Sequence, residues 1–147
     1  VMGASKWVDV HHHPTTSSCI DSLKTKGYQI VATTPHTEDI DIYNFNPIQK
    51  SAVFFGTEMN GLSNEVLEKA DVFIKIPMYG FTESFNISVA AALCLNQITH
   101  NLRQSEIDWR FSPEEKQDLK LRWGKSCIRQ PDIVEKEFLK TLKTKNA

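Results

Sequence analysis

The chain has 147 residues, 40% of them apolar and 24% charged, and its formal net charge is −1. That length and composition suit one globular domain with one core and argue against a disordered or low-complexity chain. No apolar run approaches the roughly 20 residues of a membrane span, and the first residues lack a basic stretch followed by an apolar signal segment, so a cytosolic protein is expected.

In chain order, Trp7-Val8-Asp9-Val10 reads as a short strand, followed by a helix from Thr15 to Lys26 with Ser17 or Ser18 near its start and Gly27 just past its end. Tyr28 to Thr33 reads as a strand. Residues 34 to 47 are polar and turn-rich, and Ser51 to Gly56 is the clearest strand pattern in the sequence. Asn60-Gly61 marks a turn, Ser63 can cap a short helix through Lys69, and Val72 to Ile76 is an apolar strand of buried type. A long apolar helix is expected from Ser84 to about Leu102, with Ser84 and Asn86 in its first turn. Beyond it, Ser112-Pro113-Glu114-Glu115 and Pro131 resemble helix starts in a Lys-rich appendage. Residues 1–102 and 103–147 therefore form a domain and a helical extension.

Continuous apolar strands separated by helices imply a mostly parallel sheet with helices on both faces, an α/β architecture that binds ligands at the carboxyl ends of its strands. Three loops fall at such ends: Thr33-Thr34-Pro35, Gly56 to Gly61, and Ile76 to Gly80. They are expected to converge. A helix starting at Ser84 would add unpaired amides and a partial positive charge that favour an oxygen-rich ligand, and Gly80 would let the backbone approach it.

Charge is unevenly divided. Residues 1–102 hold six Lys/Arg against ten Asp/Glu, whereas residues 103–147 hold eleven against eight. A basic tail is compatible with nucleic acid binding and equally with a solvated helical face. Trp109, Trp123, Arg110, Arg122, Lys125 and Arg129 could contact RNA by stacking and phosphate pairing, or the two tryptophans could pack between helices. Cys19, Cys94 and Cys127 are odd in number and widely spaced, so reduced thiols are expected, with Cys94 a buried hydrophobe. His11-His12-His13 follows a strand pattern, where neighbours point to opposite faces and do not share an ion readily. His36 is a loop histidine beside Pro35 that could act as a base near the site; a residue without a role is the favoured reading.

The segments Phe55-Gly-Thr-Glu-Met-Asn-Gly-Leu-Ser63 and Ile76-Pro-Met-Tyr-Gly-Phe-Thr-Glu-Ser-Phe-Asn-Ile-Ser-Val-Ala-Ala-Ala-Leu93 closely resemble the second and third signature motifs of SpoU-type RNA ribose 2′-O-methyltransferases of the SPOUT superfamily. Lys6 to Val10 and Ile30 to Thr33 resemble the preceding strands, so the likeness runs from the N-terminus to about Leu102. The tail is similar, more weakly, to that of the TrmH branch, which modifies a tRNA D-loop guanosine. The resemblance implies S-adenosylmethionine bound in a deep trefoil knot, with RNA, tRNA first and ribosomal RNA next, as substrate, no metal, and a homodimer. It implies backbone contacts to the cofactor at Thr33, Gly56, Ile76, Met78 and Phe85. Ser84 and Asn86 match positions beside the reacting centre, and Glu58 matches an acidic position that braces the site.

The family assigns activation of the hydroxyl to an arginine of its first motif, which also holds an asparagine. That motif would lie upstream of Val1, because Val1 to Ser5 resembles the loop entering the family's third strand. The expectation is a fragment that alone lacks methyl transfer. The alternative is a non-catalytic RNA-binding or assembly module that keeps the fold, but joint retention of Ser84, Asn86 and Glu58 favours the enzyme.

Overall fold

The computed structural model describes residues 3, 7–35, 38–82 and 84–145, without the side chains at 143 and 145. His36 lies outside the described residues. Two compact units are present, one formed by His12–Trp109 and the other by Val1–His11 with Arg110–Ala147.

The first unit opens with α1, Thr16–Thr25, which begins because Thr15 offers its hydroxyl to the Ser18 amide while Ser18 bonds back to Thr15. It ends because Gly27 takes a positive φ of 77°. The Tyr28 amide then reaches Leu23 O at 3.0 Å and the Gly27 amide reaches Lys24 O at 2.9 Å, which absorbs two carbonyls at the helix end. Four parallel strands follow: β1 Gln29–Thr33, β2 Ile40–Asp41, β3 Ser51–Phe54 and β4 Val72–Lys75, in the spatial order β2-β4-β1-β3. Helix α2, Asn64–Lys69, connects β3 to β4, and α3, Ile87–Gln104, follows β4.

Alternation along β1 divides the core into two. Ile30 and Ala32 pack with Ile20 of α1 and Val66 of α2 on one face. Val31 packs with Ile74, Ile42, Phe45 and Cys94 of α3 on the other. Both faces of the sheet are therefore covered, as the α/β reading requires. Each fully buried aliphatic side chain, Ile30 or Ile74 for instance, contributes about 1.5–3 kcal/mol from burial. Burial also pushes the Cys94 thiol up to about 11, so it is an inert hydrophobe at neutral pH.

Three expectations need correction. Residues 7–10 form no strand: Val8 and Val10 are exposed, and Trp7 instead meets Trp123 edge to face at 5.4 Å. The turn-rich stretch contains β2 and a 3-10 turn, Ile42–Asn44, that Asp41 caps through its bond from the Tyr43 amide. Helix α3 starts at Ile87, three residues later than expected, because Asn86 is the residue whose side chain caps it.

The second unit contains α4, Pro113–Cys127, and α5, Pro131–Lys145. Ser112 and Glu115 close a reciprocal cap ahead of Pro113, and Gln130 turns the chain with a φ of 52°. Arg122 pairs with Asp9 at 2.9 Å and Lys125 with Glu135 at 2.7 Å. Trp123 is thus a packing residue against Trp7, and two of the candidate phosphate contacts already hold carboxylates. No described helix is long and apolar enough to cross a membrane.

Candidate active site

Because β1, β3 and β4 run parallel, their carboxyl ends share one edge of the sheet, and the loops leaving them meet there. Thr33 donates its hydroxyl to Phe54 O at 2.8 Å, tying the ends of β1 and β3, and the Thr34 amide donates to Ile74 O at 3.0 Å, tying the first loop to β4. A cleft of about 350 Å³ opens between the three loops. Its wall includes Thr33, Gly56, Glu58, Ile76, Met78, Ser84 and Phe85, seven of the eight residues singled out in the sequence. The expected convergence is therefore observed.

The loop from Gly56 to Gly61 is held by paired backbone bonds between Thr57 and Gly61, each 2.9 Å, and by the Asn60 amide on the Thr57 hydroxyl. Gly56 is required by this closure. A Cβ there would lie 2.2 Å from the Gly61 carbonyl carbon and 2.4 Å from the Leu62 nitrogen. Gly61 is required for a different reason, its φ of 63°. Gly80 likewise serves conformation, with a φ of 129°, and no protein atom crowds the space at its Cβ.

Asn86, the eighth residue, is not part of the cleft wall. Its Oδ1 accepts from the Ser88 amide at 2.9 Å and its Nδ2 donates to Glu58 Oε1 at 2.8 Å. One side chain thus caps α3 and anchors the carboxylate that faces the cleft. Ser84 lies in the extended approach to the helix, not in its first turn, and contributes to the cleft wall from there. From the helix itself, Ile87 and Ala90 border the cleft. The sequence reading missed these two, although their spacing of three places them one turn apart on one face. The helix end therefore shows the cleft an apolar surface, and one of its orphan amides is already taken by Asn86.

Phe55, Ile76, Met78 and Phe85 give the cleft apolar walls, and Thr33, Thr34, Thr57, Glu58 and Ser84 bring polar residues to it. That combination fits a nucleoside-like ligand, whose flat ring is apolar and whose edges need hydrogen bonds, and the volume falls in the ordinary range for small-molecule sites. Among the described residues, no group of three or more His, Cys, Asp or Glu is arranged to hold a metal ion.

Residues 1–96 match the SpoU rRNA Methylase family. The chain belongs to that family. It is 41% identical over 134 residues to a tRNA (guanosine(18)-2′-O)-methyltransferase of Borreliella burgdorferi, an alignment covering 91% of this chain and 62% of the relative. It is 40% identical over 93 residues to the enzyme of that name from Thermus thermophilus, covering 63% and 48%. Among solved structures, the TrmH/SpoU tRNA modifying enzyme of A. aeolicus superposes with a TM-score of 0.72 at 30% identity, over 86% of this chain and 66% of that one. The SpoU methyltransferase AviRb from Streptomyces viridochromogenes, crystallised in complex with the cofactor AdoMet, superposes with a TM-score of 0.58 at 26% identity, over 63% and 38%. The chain spans less than two thirds of the length of these curated relatives.

Proposed function

We propose that the complete protein is an S-adenosylmethionine-dependent RNA ribose 2′-O-methyltransferase acting on tRNA at a D-loop guanosine, a reading supported by relatives named as tRNA (guanosine(18)-2′-O)-methyltransferases. The observation that carries this reading is the meeting of three strand-end loops with Ser84 and Phe85 around one nucleoside-sized cleft. The cofactor supplies a methyl group on a sulfonium, and its displacement onto a ribose hydroxyl requires in-line placement and removal of the hydroxyl proton. In this assignment Thr33, Gly56, Ile76, Met78 and Phe85 hold the adenosyl moiety through main-chain groups. Ser84 borders the reacting centre from the cleft wall, while Asn86 fixes the position of the Glu58 carboxylate.

The same reading takes residues 1–102 as the methyltransferase domain, threaded as a trefoil knot, and residues 103–147 as a helical extension with the basic surplus. It places the protein in the cytoplasm and makes it a homodimer. Support for the dimer comes from α3, whose side opposite Cys94 carries Val89, Ala92 and Leu93, all exposed. Calorimetric titration of the complete gene product with S-adenosylmethionine tests the reading, together with tritium transfer into unfractionated tRNA. Absence of binding heat with Ser84 and Asn86 intact would overturn it.

A further inference from the structure

Three large side chains beside the cleft are left in solvent. Tyr79 is 96% exposed, Phe81 is fully exposed and Met59 is 92% exposed. Each adjoins the cleft wall in sequence: Tyr79 follows Met78, Phe81 precedes Ser84 by three residues, and Met59 follows Glu58. An aromatic ring ordinarily buries 150–250 Å², and apolar side chains grouped at the edge of a site mark the surface a partner covers.

We propose that Tyr79 and Phe81 stack on unpaired bases of the RNA substrate, beside the nucleotide whose ribose enters the cleft. The assignment rests on the methyltransferase reading and adds to it a means of substrate capture. Charge favours base faces over phosphates here, because residues 1–102 hold ten Asp/Glu against six Lys/Arg and Glu58 faces the cleft. Only unpaired nucleotides expose those faces, and stacking tolerates any base, so the two rings govern position more than sequence. Gly80 separates them by a single residue whose φ of 129° a side chain would strain.

The test uses the full-length gene product and unfractionated tRNA, with Tyr79→Ala, Phe81→Ala, the double variant, the aromatic exchanges Tyr79→Phe and Phe81→Tyr, and Tyr79→Leu. Each alanine is expected to raise KM for tRNA and its Kd by fluorescence anisotropy about tenfold. The Kd for S-adenosylmethionine and the sedimentation coefficient should not change. The aromatic exchanges restore binding, whereas Tyr79→Leu does not. An active wild type with an unaltered double variant refutes the stacking role alone, as does full restoration by leucine. A double variant that dissociates into monomers identifies a second copy of the chain as the occupant and also refutes it. A wild type that binds no cofactor and methylates no RNA removes the underlying reading, and the stacking role with it.

Discussion

Asn86 makes two bonds whose directions its amide fixes. The Ser88 amide can only donate and the Glu58 carboxylate can only accept, so Oδ1 must face the helix and Nδ2 the carboxylate. The two roles can be separated by substitution. Asn86→Asp keeps an acceptor for the helix end, where a negative charge is favourable, but offers Glu58 no donor and sets two carboxylates together. Asn86→Ala removes both bonds. Urea unfolding should show the alanine variant destabilised by about 1 kcal/mol and the aspartate variant close to wild type. Methyl transfer by the full-length protein should fall in both, and an aspartate variant with wild-type turnover would show that Glu58 needs no anchoring. Gly56 permits a second test at this scale. Gly56→Ala drives a Cβ into the backbone at Gly61 and Leu62, so the loop must open at a cost of about 1–3 kcal/mol. Gly61→Ala meets no atom and suffers only its φ of 63°, about 1 kcal/mol. Calorimetry should therefore show cofactor binding weakened more by the change at Gly56 than by the one at Gly61.

Asp71 fastens elements together at the opposite end of the sheet from the cleft. Its Oδ2 accepts from the Ile30 amide at 2.7 Å, its own amide donates to Ile30 O at 2.8 Å, and Lys24 of α1 reaches Oδ1 at 3.3 Å. The Ile30 bond, chiefly, holds the Asp71 carboxyl below its ordinary value of 3.8, with Lys24 adding to it against the opposing effect of burial. A lowered folded-state value means that this stabilisation is complete above about pH 4 and is lost as pH falls through the folded value. Because the side chain is 42% exposed, the contribution is about 1 kcal/mol. Thermal melts of wild type and Asp71→Asn should differ from pH 5 to 8 and draw together as pH falls below 3.8; a gap that does not narrow there would exclude the charge as its source. These central strands were readable from the sequence because they are continuous apolar runs between turn signals. The pair Ile40–Asp41 was not, since two residues carry no period and only pairing with β4 makes them a strand. Ile42 and Phe45 were equally hidden: they join the core from a polar stretch, held by Asn101 of α3 on the Phe45 carbonyl at 2.8 Å. The start of α3 was misplaced because Ser84 and Asn86 are both good caps, and only geometry selects between them.

At the level of the whole chain, the cleft residues were accessible to sequence reasoning through two motifs, and their convergence through the rule that parallel strands end on a common edge. The fate of the tail was not, because a tryptophan or an arginine in a helix looks the same whether it awaits RNA or packs on Trp7 and Asp9. The proposed homodimer belongs to this scale too. Along α3 the inward side carries Ala90, Cys94, Ile98 and Asn101, which pack or bond within the sheet unit. The outward side begins with Val89, Ala92 and Leu93 and then turns polar at Asn96 and His100. A second copy seated on the apolar half would bury Val89 and Leu93, which are 46% and 41% exposed in the single chain. Leu93→Asp places a charge in the middle of that contact without touching the core or the cleft wall. Sedimentation velocity of the full-length protein should change from dimer to monomer, while the single-chain fold, judged by far-ultraviolet circular dichroism, is retained. Burial of an unpaired carboxylate costs several kcal/mol, enough to shift the dissociation constant by at least a hundredfold. A Leu93→Asp protein that still sediments as a dimer would place the subunit contact elsewhere and leave the outward half of α3 without a partner.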